Sequence, residues 1–513
     1  MSKNGVGRDI PEYLEGIGVL RPYESSFSYV PDGRKVGSKL KRPLPHESKL
    51  LSSIEEAVKA TKLKDGMTIS FHHHFRSGDY IVNMVMDVIA SMGIKNIRIA
   101  PSSLSTCHGS LIEHIKNGVI TRIESSGLRE PLGSAISEGI LPNPVIIRPH
   151  GGRARAIESG ELKIDVAFLG VPACDEYGNA NGFSGKSACG SLGYAIVDAK
   201  YADQVVLITD NLVEYPCLPA SINQTQVDYI VKVEEIGNPK GIVSGAIKST
   251  KNPKDILIAE NAVKAIVASG YFKNGFSYQT GAAGASLAVT ELLKEKMVEE
   301  NIKGSFGLGG ITSQLVQLLE EGLLEGLFDT QCFDLDAVNS LGKNQKHFEI
   351  DASFYSNPHN SGCAVNKLDI VMLGALEIDT DFNVNVISGS DGIISQAVGG
   401  HPDTAAGSKM SVILAPLIRG RIPIIVDKVT TVVTPGETID VVVTDYGIAV
   451  NPNREDLIEK FKAANLKLYT INELQKIAES ITGKPDKIEF GDRIVGIVQY
   501  RDGTIIDVIR QVI

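Results

Sequence analysis

The chain has 513 residues, 43% hydrophobic and 22% charged, enough for two or more globular domains with cores of their own. A net charge of −10 with no long basic block disfavours an electrostatic nucleic-acid binder, and no run approaches the ~20 apolar residues of a membrane span. The six cysteines are scattered without a C-x-x-C pair, which fits a reducing compartment and supplies no zinc framework, so a soluble cytoplasmic protein is expected.

The first 62 residues read as an arm followed by a helix. Their densest basic stretch, DGRKVGSKLKRP (32–43), is a solvated arm or a docking segment. MTISF (67–71) is strand-like, and YIVNMVMDVIASMG (80–93) reads as a buried helix. Between them lies SFHHHFRSGD (70–79), in which three histidines precede Arg76, Ser77 and Gly78. NIRIAPSS (96–103) is again a strand, and LIEHIKNG (111–118) a helix ending on glycine. RPHGGRARAIESG (148–160) sets Arg148, His150, Arg153 and Arg155 around two glycines, as either a polyanion clamp or a solvated basic turn. Strands alternating with helices indicate α/β architecture with a mainly parallel sheet.

The chain also contains itself twice. KIDVAFLGVPACDEYGNANGFSG (163–185) aligns without a gap on KLDIVMLGALEIDTDFNVNVISG (367–389). Asp165, Asp175, Asn179 and Asn181 fall on Asp369, Asp379, Asn383 and Asn385. Upstream, SFHHHFRSG (70–78) falls opposite FSYQTGAAG (276–284) after a two-residue slip. A period this long is a duplicated domain rather than a solenoid. The expected division is an arm and helix over 1–62, a first domain over 63–245 and a second over 246–513, with the junction inside NPKGIVSGAIKSTKNP (238–253).

In parallel α/β sheets, ligands bind beyond the carboxyl ends of the strands, so strand-to-helix loops are the places for chemistry. QTGAAGAS (279–286), with Gln279, Thr280 and Gly281, can turn amides toward an anion. SFGLGGITSQ (305–314) brings Gly309 and Gly310 close to a ligand, or packs helix against sheet. GSDGIISQAVGGHPD (389–403) is a long glycine-rich loop carrying Ser390, Asp391, Gly399, Gly400 and His401. There is no Walker-type phosphate loop and no G-x-S-x-G elbow. Cys107 and His108 would point to opposite faces of a strand, which disfavours a thiol–imidazole pair. His72 and His74 could begin a metal site, but Asp79 is the one close carboxylate, and no metal is expected.

Several segments together resemble the citrate lyase alpha-subunit family, over almost the whole length. They are ISFHHHFRSGDYIVNMVMDVIA, LGVPACDEYGNANG, GYFKNGFSYQTGAAGASLAVT, ALEIDTDFNVNV, GGHPDTA, APLIRGRIP and VTDYGIAVNP. The more distant relatives are CoA-transferases, whose tandem open α/β domains agree with the internal repeat. The resemblance implies transfer of a carrier-protein thioester from acetyl to citrate: citrate plus acetyl-carrier gives citryl-carrier plus acetate. It implies a β subunit that cleaves the citryl thioester, and a γ subunit, the acyl carrier. The carrier would bear a phosphopantetheine arm derived from dephospho-CoA, with no cofactor held covalently by this chain. An oligomer is expected, and CoA esters would be surrogate substrates.

Within that frame His72, His74 and Arg76 are expected at the chemistry with Gln279, Gly309 and Gly310. Ser77, Gly78, Arg153, Arg155, Thr280, Gly281, Ser390 and Asp391 are expected to bind substrate, and Gly399, Gly400 and His401 to lie along the pantetheine channel. Many CoA-transferases carry the acyl group on a glutamate of the second domain. The corresponding stretch here, FGLGGITSQ (306–314), has glycines and no acid. Direct attack of citrate on the acetyl thioester, through a mixed anhydride, is therefore the expected route, with Glu377 the remaining acid to consider. The alternatives are a citramalate-specific homologue, an enzyme using free CoA esters, and a scaffold that only docks carriers.

Overall fold

A computed structural model describes residues 2–242, 250–281 and 284–513. The first half contributes to its large sheet β1 (Leu50–Leu51), β2 (Thr68–Ser70), β3 (Ile97–Ile99), β4 (Ile120–Ser125), β5 (Val145–Ile147), β6 (Val166–Gly170), β7 (Gln204–Thr209) and β8 (Tyr229–Lys232). In the second half follow β9 (Ser277–Gln279), β10 (Gly304–Ile311), β11 (Leu324–Cys332), β12 (His347–Glu349), β13 (Ile370–Gly374), β14 (Met410–Leu414), β15 (Val441–Val443), β16 (Ile448–Val450) and β17 (Leu468–Tyr469). Last come β18 (Phe490–Gln499) and β19 (Ile505–Val512). The two large sheets run β19-β18-β5-β4-β3-β2-β6-β7-β8-β1 and β12-β11-β10-β9-β13-β14-β15-β16-β17. The block β5-β4-β3-β2-β6-β7-β8 thus has the same order as β12-β11-β10-β9-β13-β14-β15, and all pairings within each block are parallel. This is the duplication expected from the sequence.

The repeated acids turn out to be ties. The Asp165 carboxylate accepts from the Thr68 amide at 2.8 Å, and Asp369 accepts from the Ser277 amide at 2.9 Å. Asp175 and Asp379 each gather the amides of their own tight turn and the side chain of the asparagine four residues on. These bonds also correct the alignment of the histidine loop. Ser70 and Gln279 occupy equivalent places beside Ala167 and Val371, so Ser70 matches Gln279 rather than Phe276. A short strand with few side chains facing the core leaves its sequence register weakly marked.

One part of the expected division changes and one is left untested. The junction at 245/246 lies outside the described residues. The hairpin β18–β19 does not stay with the second domain but pairs in parallel with β5, Gly496 to Val145 and Val498 to Ile147. It covers an edge the first sheet would otherwise leave open. The amino-terminal arm packs on that hairpin: Asn4 Nδ2 donates to the Ile506 carbonyl at 2.8 Å, and Ile10 and Leu20 bury against Ile497 and Ile505. The basic stretch is a strap along its own domain, with Lys35 on Glu158 (2.7 Å), Lys39 on Asp203 (2.6 Å) and Lys41 on Asp228. No described helix is long and apolar enough to cross a membrane.

The expected helix over 80–93 is α1 (Ile81–Ser91), burying Val82, Val85, Met86 and Ile89 and ending before Gly93 at φ +74°. Three further helices carry the site: α2 (His150–Glu158), α3 (Gly193–Tyr201) and α4 (Ala352–Ser356).

Candidate active site

The strand ends of the two domains face each other, and hydrogen bonds cross the gap. Gln331, at the end of β11, donates to the His73 carbonyl at 3.2 Å. Ser191 Oγ donates to the Asp329 carbonyl at 2.8 Å, and the His150 amide to the Gly399 carbonyl at 2.9 Å. Between them meet the 72–78 loop, the start of α2, Tyr194 on α3, Gln279, Gly310, Phe333, Tyr355 on α4 and the Gly399–Gly400 turn, each in contact with another of the set.

The strand β2 stops at Ser70, and the histidine loop curls back on itself. His72 Nε2 sits 2.7 Å from the Gly170 carbonyl, and His72 Nδ1 sits 2.9 Å from His74 Nδ1. A ring nitrogen facing a carbonyl must donate, so His72 carries its proton on Nε2 and accepts from His74 on Nδ1. His74 then keeps an unprotonated Nε2, which is buried with no hydrogen-bond partner among the described residues. Burial, then repulsion from His72, holds His74 well below the ordinary imidazole range, so this ring is neutral. His72, with both nitrogens engaged and 4% exposed, is a buttress rather than a substrate-facing group. His73, by contrast, stacks on Tyr194 (4.8 Å between centroids) and lies 5.5 Å from His150.

Arg76 follows at φ +52°, a left-handed conformation unusual for a branched-free but bulky residue and held by its surroundings. Its guanidinium lies 5.0 Å over the Phe333 ring and donates to the Ile242 carbonyl at 3.4 Å. Burial and the nearby Arg129 lower it to about 10, so it stays cationic at neutral pH. No carboxylate pairs with it among the described residues. Behind the loop, Asp79 accepts from the Val82 amide at 3.0 Å and meets His108 Nε2 at 3.1 Å, while Cys107 Sγ donates to the Arg76 carbonyl at 3.6 Å. Burial alone would lower His108, but its bonds to Asp79 and Cys107 and the carboxylate's charge carry it to about 9. Its value is thus raised on folding. The pair's contribution to stability is complete below about pH 6.5 and is lost as pH rises through about 9. Urea midpoints of the protein and of His108→Gln should differ most in the acid part of this window and converge above it.

In the second domain, Gln279 Nε2 donates to the Tyr355 hydroxyl at 2.9 Å, while its Oε1 is buried and unpartnered. Gly309 has φ +98°, and a Cβ there would lie 2.8 Å from the Gln279 amide group. A Cβ on Gly310 would enter the Phe333 ring at 2.1 Å, and one on Gly400 would lie 2.6 Å from the Tyr355 hydroxyl. Gln279, Gly309, Gly310, Gly399 and Gly400 therefore do come together with Arg76 and His74. So does His150, whose Nδ1 is buried without a partner and which burial and Arg153 lower to about 3. Three buried polar atoms without partners, in one chain of touching side chains, are the mark of a site made for a polar ligand. Arg129, Tyr194, Gln331, Phe333 and Tyr355 join them here with no signal in the sequence, because each arrives from a different element.

Other expected site residues are elsewhere. Arg153 is 3% exposed and forks onto Asp198 at 2.7 and 2.9 Å, so its charge is consumed internally. Arg155 pairs with Glu161 at 2.6 Å and opens on a separate cavity beneath the arm. His401 has both nitrogens engaged, on Thr434 (2.7 Å) and the Gly374 carbonyl (2.9 Å), and burial takes it down to about 4. It braces the Gly399–Gly400 turn and does not face a channel. Asp391 Oδ1 accepts from the Ile393 amide in an exposed turn shared with Ser390. Ser77 is exposed, and Gly78 is where the loop packs on residues 238–241, since a Cβ would lie 2.1 Å from the Asn238 carbonyl. Thr280 bonds to the carbonyls of Gly281 and Ser286, closing the turn before the next helix; Ala282 and Ala283 of that loop lie outside the described residues. Glu377 accepts from Asn385 and Thr430 and is a structural acid. Among the described residues no group of His, Cys, Asp and Glu could hold a metal ion.

A family model described as citrate lyase, alpha subunit (CitF) matches residues 47–512. The chain belongs to the citrate lyase alpha-subunit family. It is 58% identical over 466 residues to the citrate lyase alpha chain of Klebsiella pneumoniae, covering 91% of this chain and 92% of that one. The alpha chain from Escherichia coli (strain K12) is 56% identical, covering 91% of each. A solved Streptococcus mutans structure, described as an alpha subunit of citrate lyase in complex with citrate, superposes with a TM-score of 0.96 at 57% identity, over 99% of this chain and 100% of that one. A malonate decarboxylase alpha subunit from Acinetobacter baumannii shares the fold, with a TM-score of 0.63 at 14% identity over 85% and 91% of the two chains. As a citrate lyase alpha subunit the chain is an enzyme and one component of a multi-subunit assembly.

Proposed function

We propose that the interdomain cleft moves a carrier-protein thioester from acetyl to citrate. A citrate carboxylate, already ionised at neutral pH, attacks the acetyl thioester carbonyl. The tetrahedral intermediate expels the pantetheine thiolate and leaves a mixed acetyl–citryl anhydride. The thiolate then attacks the citryl carbonyl, and the C–O bond breaks to release acetate. No proton need be gained or lost overall. The work of the protein is to hold two reactants together, offset citrate's charge and offer donors to the oxyanion. Arg76 supplies charge. The Gln279 side-chain amide, held by Tyr355, and the amides around Gly309 and Gly310 suit the oxyanion. The carrier, whose pantetheine arm brings in the thioester, we assign to the γ subunit, with a β subunit cleaving the citryl product. No step needs a glutamyl thioester, because Glu377 is tied to Asn385 and Thr430.

The observation that carries this reading is Arg76, a half-buried guanidinium without a carboxylate partner among the described residues, at the mouth of a cleft holding unpaired buried polar atoms. Arg76→Ala should raise the citrate KM at least about tenfold, the worth of one charge-assisted bond, while the acetyl-carrier KM stays close to that of the parent. Acetate release from acetyl-carrier, with citrate against water as acceptor, is the assay. Unchanged citrate kinetics would take Arg76 out of the site. Borohydride trapping of a modified glutamate would replace the direct route by a covalent one.

A further inference from the structure

A second polar cavity, of about 490 Å³, lies between the arm and one face of the first sheet. Its floor is unusual for a parallel sheet, whose faces are normally apolar. Arg98 on β3 and Arg122 on β4 stand directly opposite each other, a like-charge pair that destabilises a sheet unless something offsets it. Glu124 reaches Arg98 at 3.4 Å but is also held by Arg148 at 2.8 Å. Arg122 has neither an ion pair nor a hydrogen-bond partner among the described residues. At the far wall Arg155, 4% exposed, leaves its Nε buried and unpartnered. Overhead the arm places Arg21 over the Tyr29 ring at 4.2 Å, again with no carboxylate on it among the described residues. His359, in the same wall, is lowered to about 4, by burial first and then by Arg155, Arg501 and Arg21 against the opposing pull of Glu161.

We propose that this cavity is a second ligand site, for a small polyanion bearing carboxylate or phosphate groups, with Arg122 at its centre and Arg98 and Arg21 on either side. Such an anion offsets the opposed arginines of the floor and ties the arm down over them. The site is separate from the cleft, since none of the cleft residues lines it.

Calorimetric titration of the full chain with inorganic pyrophosphate, and separately with tricarballylate, tests this. At least one should bind saturably to Arg76→Ala, whose citrate cleft is weakened, with a Kd that adding Arg122→Gln raises at least about tenfold. The probe that binds tells phosphate from polycarboxylate chemistry. Bound probe should also slow trypsin cleavage after Arg34 and Lys35. Without probe, Arg122→Gln should melt at or above the parent's Tm, because it relieves a like-charge pair. Binding by neither probe, binding removed by Arg76→Ala instead, or an Arg122→Gln variant that melts well below the parent would each overturn the proposal.

Discussion

Arg153→Met should lower the unfolding free energy by about 3–5 kcal/mol, the usual cost of removing one partner from a buried ion pair. Both partners are out of solvent, with side-chain exposures of 4% for Arg153 and 0% for Asp198. The guanidinium also donates to the Ala100 carbonyl at 2.7 Å, so the pair joins α2 and α3 to the end of β3. Its loss leaves a carboxylate with no counter-charge and no water. The double variant Arg153→Met, Asp198→Leu should recover most of the loss, because apolar residues of similar volume replace a buried pair at little net cost. Urea denaturation of the four proteins gives the coupling directly. Citrate KM in the double variant should stay within about twofold of the parent if Arg153 has no substrate contact. A large KM effect there would return Arg153 to the binding site.

Gly310→Ala should depress kcat by about a hundredfold, the cost of an ångström-scale misplacement at a reacting centre. A methyl group at 310 overlaps the Phe333 ring, which must move, and Phe333 is the platform under Arg76. Gly309→Ala should act similarly through Gln279, with added strain from a positive φ. The informative control is Gly307→Ala in the same strand, where the added carbon meets the Leu327 side chain at 2.8 Å. It should cost stability by overpacking, about 1–3 kcal/mol, with kcat of the folded enzyme preserved. Equal kcat losses at 307 and 310 would mean that the glycines only pack the sheet.

The effect of any one arginine shows how far sequence reaches here. RPHGGRARAIESG reads equally well as a clamp or a basic turn, because ion pairing depends on partners the local pattern does not contain. Arg153 finds Asp198 across two helices, and Arg155 turns to Glu161 and the Gln499 side chain from the last hairpin. Three adjacent histidines likewise look equivalent on paper. Only the bend after Ser70 makes His72 a donor to Gly170, leaves His74 a free lone pair and stacks the His73 ring on Tyr194 while its carbonyl takes a bond from Gln331 of the other domain.

The α/β class, the duplication, the family and the glycines at strand ends are all legible in the order of the residues. Those signals are local: apolar periodicity, turn-forming Asp and Asn at one constant offset, and motifs read over short windows. Which charges are spent and which are free, and that the last strands, β18 and β19, complete the first sheet rather than the second, emerge from the folded chain. Both are long-range matters, because charges are neutralised and sheet edges covered by whatever segment the fold brings alongside, at any distance along the chain.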